Sequence, residues 1–238
     1  MPRVCPRIQR AVLCVLALGL TALAIGVAQA EVGAKWTVVN KVGELKEAKK
    51  GGLSPLLEIA EFEGKDLTIL TKLFNLEIKV LCTAGQLIGA KLEEEGKISS
   101  GTTLRLTGCA AHIGEGGTET ECIPYAGTEA GVILSRKLNG LLVLHEGSGV
   151  LRLEPVEKGS VINIEFNEKC GLSEIPIGGI LVLKDNELGT ELVTHLFSQG
   201  PLTKLWAVNE SNTATVDGSM LLRLGGEHLG LKWSGTPG

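Results

Sequence analysis

What most constrains this chain is a two-residue alternation of apolar and polar side chains that recurs almost without break after residue 66. Leu76, Ile78 and Val80 alternate with Glu77 and Lys79, and Ile162, Ile164 and Phe166 alternate with Asn163 and Glu165. Successive side chains of an extended strand point to opposite faces, so this period buries one face and wets the other. Segments at 67–70, 76–82, 86–92, 103–108, 137–145, 150–155, 161–167, 179–184, 193–198, 202–206 and 213–224 therefore read as strands. Glu146-Gly147-Ser148-Gly149, Glu157-Lys158-Gly159-Ser160 and Lys184-Asp185-Asn186-Glu187 supply turn-forming residues between them. The stretch 137–167 predicts a three-strand antiparallel meander, in which Asn139-Gly140 is either a tight hairpin turn or a bulge. Helix formers gather only at 43–62, as Glu44–Ala48 ahead of Gly51-Gly52, or after Ser54-Pro55. The expected class is all-β: an antiparallel β-sandwich or barrel-like domain with meander hairpins, the pattern fitting either.

The N-terminus has a different grammar. Arg3, Arg7 and Arg10 precede an apolar run from Ala11 to Val27, and Ala28-Gln29-Ala30 then supplies a small-x-small cleavage site before Glu31. This is the layout of a secretory signal helix over residues 1–30. Retained uncleaved, it would be an anchor, but the run is short for a span of about 20 residues. The expected domains are a signal peptide, 1–30, and a single extracellular all-β domain, 31–238, with no membrane span after cleavage.

Export makes the cysteines informative. Cys5 and Cys14 leave with the signal, and Cys82, Cys109, Cys122 and Cys170 remain. An even number in an oxidising compartment reads as two disulfides. Cys82 and Cys170 each share the apolar parity of their strands. Cys109 follows the outward parity of its strand unless Gly108 breaks the phase, and the loop Ala110–Glu121 leads back to Cys122. Strand phase therefore pairs Cys82 with Cys170 in the interior and Cys109 with Cys122 at the surface. No C-x₂₋₄-C pair exists, so zinc is not expected.

The search for chemistry yields no catalytic residues and no cofactor. The elbow G-x-S-x-G, H-E-x-x-H, the phosphate loop and the dinucleotide fingerprint are all absent from the sequence. The formal charge of −4, without a basic block, excludes a nucleic-acid footprint. His112, near Glu115, Glu119 and Glu121, reads as part of a solvated acidic loop rather than a metal site. His145 and His195 read as ordinary strand residues, and His228 stands alone. Glu93-Glu94-Glu95 before Gly96 reads as an exposed hairpin tip rather than a glycosidase pair. Trp36, Trp206 and Trp233 are the candidates for stacking on a ligand, although Trp36 and Trp233 lie where chain ends pack onto a body. Asn209-Glu210-Ser211 matches a glycosylation sequon.

Several of these residues also form a looser pattern. Trp36-x₂-Val39-Asn40, Val80-Leu81-Cys82, Thr107-Gly108-Cys109, Cys122, Phe166-x₃-Cys170, an Ile-Gly-Gly turn and Trp233-Ser234-Gly235 recur along the mature chain. The chain resembles a group of secreted proteins found in multiple copies in soil actinobacteria. The resemblance implies an extracellular role, agrees with the pairing above and carries no functional residues across. The expected function is that of a secreted, non-enzymatic binding or structural module, with a cell-wall polysaccharide or an envelope protein as partner. The alternatives are a glycan-binding or glycan-hydrolysing protein, or a β-barrel carrier of a small apolar ligand.

Overall fold

The structure is a computed structural model that describes residues 33–49, 51–115, 118–167, 170–186, 188–197 and 204–237. The expected signal segment lies outside the described residues. In chain order the strands are β1 (Ala34–Val39), β2 (Leu45–Glu47), β3 (Leu56–Phe62), β4 (Leu67–Leu73), β5 (Leu76–Ile88), β6 (Lys97–Glu115) and β7 (Thr118–Cys122). Next come β8 (Pro124–Ala126), β9 (Glu129–Ala130), β10 (Val132–Leu134), β11 (Leu138–His145), β12 (Ser148–Pro155) and β13 (Ser160–Phe166). The last are β14 (Glu174–Gly179), β15 (Leu181–Lys184), β16 (Val193–Phe197), β17 (Leu205–Ala207), β18 (Asn209–Asp217), β19 (Ser219–Gly225) and β20 (Trp233–Pro237).

The protein is all-β, a curled antiparallel sheet of half-barrel form. β1, β2 and β20 make a separate three-stranded sheet. One run of ladders in the large sheet passes through β6, β11, β12, β15, β16, β19 and β3. Another passes through β9, β8, β13, β14, β17, β18, β4, β5 and back to β6. β6 is long enough at 19 residues to serve both. The inward parities of these strands meet in one continuous buried cluster of leucine, isoleucine and valine.

Two expectations change, and one that stood open is decided. Residues 56–62 form a strand, not a helix: Leu57 and Ile59 turn inward against the core while the backbone pairs with β19. A half-buried sheet position outweighs the weak helix propensity of this stretch. Within 137–167, β11 and β12 form the expected hairpin, but β13 registers with β14 and β8, and β12 with β15. Asn139-Gly140 lies inside β11 at an irregularity in its pairing with β6, so the bulge reading holds. There a Cβ on Gly140 would meet Ile98 Cβ at 2.8 Å, which is why the closest approach falls on glycine.

The cysteine pairing also changes. Cys82 is bonded to Cys109, directly across from it on the neighbouring strand. Gly108 adopts φ +60° and breaks the phase of β6. Leu104 and Leu106 are buried before it, and Cys109, Ala111 and Ile113 after it. β5 changes phase at the same level, from buried Val80 and Cys82 to buried Leu87. Thr83 fills the space over Gly108 that a Cβ would need. The flip turns Cys109 inward to meet Cys82, so neither the Cys82–Cys170 nor the Cys109–Cys122 pairing stands. Cys122 instead lies opposite Ala111.

Candidate functional site

The tryptophans separate into two environments. In the small sheet, antiparallel register sets Trp36 opposite Gly235 and Val38 opposite Trp233. Both indoles are buried, with ring centroids 5.9 Å apart. Trp36 donates its Nε1–H to the Lys97 carbonyl at 3.0 Å. Trp233 stacks on the imidazole of His195, at a centroid distance of 5.6 Å. Neither ring offers a face to solvent, so the expected stacking role at Trp36 and Trp233 does not stand; they join the small sheet to the core.

Trp206 is different. Leu205 and Ala207 on either side of it in β17 are buried, so its side chain points to the outer face, where it is half-buried. Its cross-strand neighbour is Gly178. A Cβ on Gly178 would meet Trp206 Cζ2, Cε2 and Cη2 at 2.0–2.4 Å, so the indole occupies the space that any other residue would fill. Cross-strand partners point to the same side of a sheet. The row containing Trp206 therefore runs Ser160, Gly178, Trp206, Thr213. Asn163 lies beyond Ser160 on the same face, and Ser160 is hydrogen-bonded to it. Further along are Tyr125, Glu165 and Glu174, each opposite the next. A shallow groove lined by Tyr125, Arg136, Asn163 and Glu165 opens beside this face. The alternation in β13 predicts which of its residues point outward, but the meeting of β8, β13, β14 and β17 is tertiary, and the glycine under the indole carries no sequence signal.

The remaining candidates do not assemble into a site. His112 on β6 stands opposite Lys79 and Glu121 on an outer face. Among the described residues no three metal-binding side chains cluster. His145 ends β11, with Nε2 4.0 Å from Glu146 Oε1. His228 is half-buried in the short 3-10 turn Gly226–His228. Glu93 precedes a second such turn, Glu94–Gly96; Glu94 and Glu95 are exposed, and Glu95 pairs with Lys97, which lowers its carboxyl pKa. His195 is fully buried with neither ring nitrogen hydrogen-bonded, and desolvation lowers its pKa to about 3. It is neutral and sealed from solvent. Its shared parity with Val193 and Phe197 is the one sequence signal of that burial.

No family model, curated protein or solved structure matches this chain.

Proposed function

We propose that the protein is a secreted, non-enzymatic binding module of the cell exterior, that its binding face is the outer surface of β8, β13, β14, β17 and β18, and that its partner is a cell-wall polysaccharide. The observation that supports this reading is Trp206 lying over Gly178. An indole held against a sheet is a flat apolar plate with little freedom left to lose on binding. The C–H-rich face of a pyranose ring packs on such a plate, and Ser160, Asn163 and Thr213 border it with hydrogen-bonding groups. In the same reading the curled sheet is barrel-like, export begins with cleavage after Ala30, and the resemblance to secreted actinobacterial proteins points the same way.

The test uses the mature chain, residues 31–238, mixed with insoluble cell-wall polysaccharide. Wild-type protein should be depleted from the supernatant, and Trp206→Ala, with an unchanged circular-dichroism spectrum, should not. Equal depletion of both, or of neither, overturns the assignment.

A hydrolytic reading has one observation in its favour: Glu165 and Glu174 face each other across β13 and β14. Both stand exposed on an open sheet face, whereas the acid of a glycosidase pair works from a pocket that excludes water. Release of reducing sugar by wild type, abolished in Glu165→Gln, would favour hydrolysis over binding.

A further inference from the structure

Among the described residues, Cys122 and Cys170 fall outside the Cys82–Cys109 bond, and their surroundings bring them together. β8 meets β13 in antiparallel register, Tyr125 opposite Glu165 and Pro124 opposite Phe166. Continuing outward from that pair places the chain just before Pro124 beside the chain just after Phe166. The chain after Phe166 then turns back. Cys170 donates its N–H to the Asn167 carbonyl at 3.1 Å, and Phe166 donates its N–H to the Ser173 carbonyl at 2.9 Å. The turn carries Cys170 to Cys122, close enough for the two thiols to act on each other, while the Cys170 thiol donates to Asn167 Oδ1 at 3.4 Å. Cys122 is buried, and Cys170 packs half-buried against the same core. Among the described residues no third metal-binding side chain joins them.

We propose that Cys122 and Cys170 form a second disulfide in the exported protein, tying the corner between β7 and β8 to the turn after β13. The oxidant is a disulfide, either of a small molecule or of a thiol-oxidising protein. Cys170, the more exposed of the two, loses its proton and attacks a sulfur of that disulfide, releasing one thiolate. Cys122 then loses its proton and attacks the mixed disulfide at the Cys170 sulfur, releasing the second thiolate. Two electrons pass to the oxidant, which leaves as two thiols once the protons are taken up. Burial and the contact with Cys170 push the Cys122 thiol up to about 12, so Cys122 is the weaker first nucleophile and follows Cys170.

The test is peptide mapping of the full mature chain. Protein treated with oxidised glutathione is denatured without reductant, labelled with N-ethylmaleimide and digested. The expected result is a linked fragment joining Cys122 to Cys170 beside one joining Cys82 to Cys109. No cysteine should carry label, and the intact mass should fall four hydrogens below that of the reduced chain. Label on both Cys122 and Cys170, or a link from either to Cys82 or Cys109, overturns the proposal. A Cys122→Ser/Cys170→Ser variant separates this from misfolding: it should retain the Cys82–Cys109 fragment and lose two hydrogens on oxidation. A wild-type chain that also lost only two hydrogens would overturn the assignment.

Discussion

Replacing Gly178 by alanine should cost stability through one side chain, that of Trp206. Gly178 lies outside the left-handed region of backbone space, so alanine is permitted by its conformation. The obstacle is the indole, whose nearest carbon would stand 2.0 Å from the new Cβ. Carbon atoms pack at about 3.5–4.0 Å, so the ring must withdraw by roughly 1.5 Å and lose its contact with the sheet. Overpacking of this kind costs about 1–3 kcal/mol. A double-mutant cycle isolates the cause. In a Trp206→Ala background the same Gly178→Ala change should be neutral, or stabilising by about 0.4–1 kcal/mol, because alanine restricts the unfolded chain. Urea denaturation of the four proteins supplies the free energies, and Trp206 emission should shift as the ring moves into water. An equal cost of Gly178→Ala in both backgrounds would refute the argument, because it would place the clash with the backbone rather than with the indole.

Other outcomes follow from the core and the staples. His195 titrates near 3 in the folded chain and near 6.5 when unfolded, so the unfolded state binds more protons between those values. Stability should therefore fall as pH drops below about 6.5, by on the order of 3 kcal/mol at pH 4, and His195→Leu should flatten that part of a urea-midpoint profile. Gly96 adopts φ +71° with the Ala34 carbonyl oxygen 2.7 Å from where a Cβ would stand. Because that neighbour is backbone and cannot swing away, Gly96→Ala should cost upward of about 2 kcal/mol in thermal melting. Replacing Cys82 and Cys109 together by alanine opens a separation of 27 residues and should cost about 3.5 kcal/mol by chain entropy, read as a lower urea midpoint. Changing Glu93, Glu94 and Glu95 together to glutamine should shift the midpoint by less than about 0.5 kcal/mol, since they border an exposed turn.

The sequence by itself determined the class of the protein, because alternation is a local property of an extended chain. Leu76–Val80 and Ile162–Phe166 declare their buried faces to anyone who counts in twos. It also made plain the β11–β12 hairpin through Glu146-Gly147, since a tight turn and its flanking strands are neighbours in the chain. Tertiary structure decided the rest, because strand neighbours are chosen by contacts that link distant residues. Gly108 marks the division: the sequence shows a glycine able to break the phase, but only the matching flip in β5 makes Cys109 meet Cys82. The three tryptophans are alike on paper. Burial in the seam between two sheets removes Trp36 and Trp233 from solvent, and a glycine on the next strand keeps Trp206 at the surface. In each case the local pattern sets which way a side chain points, and the register of a remote strand sets what it finds there.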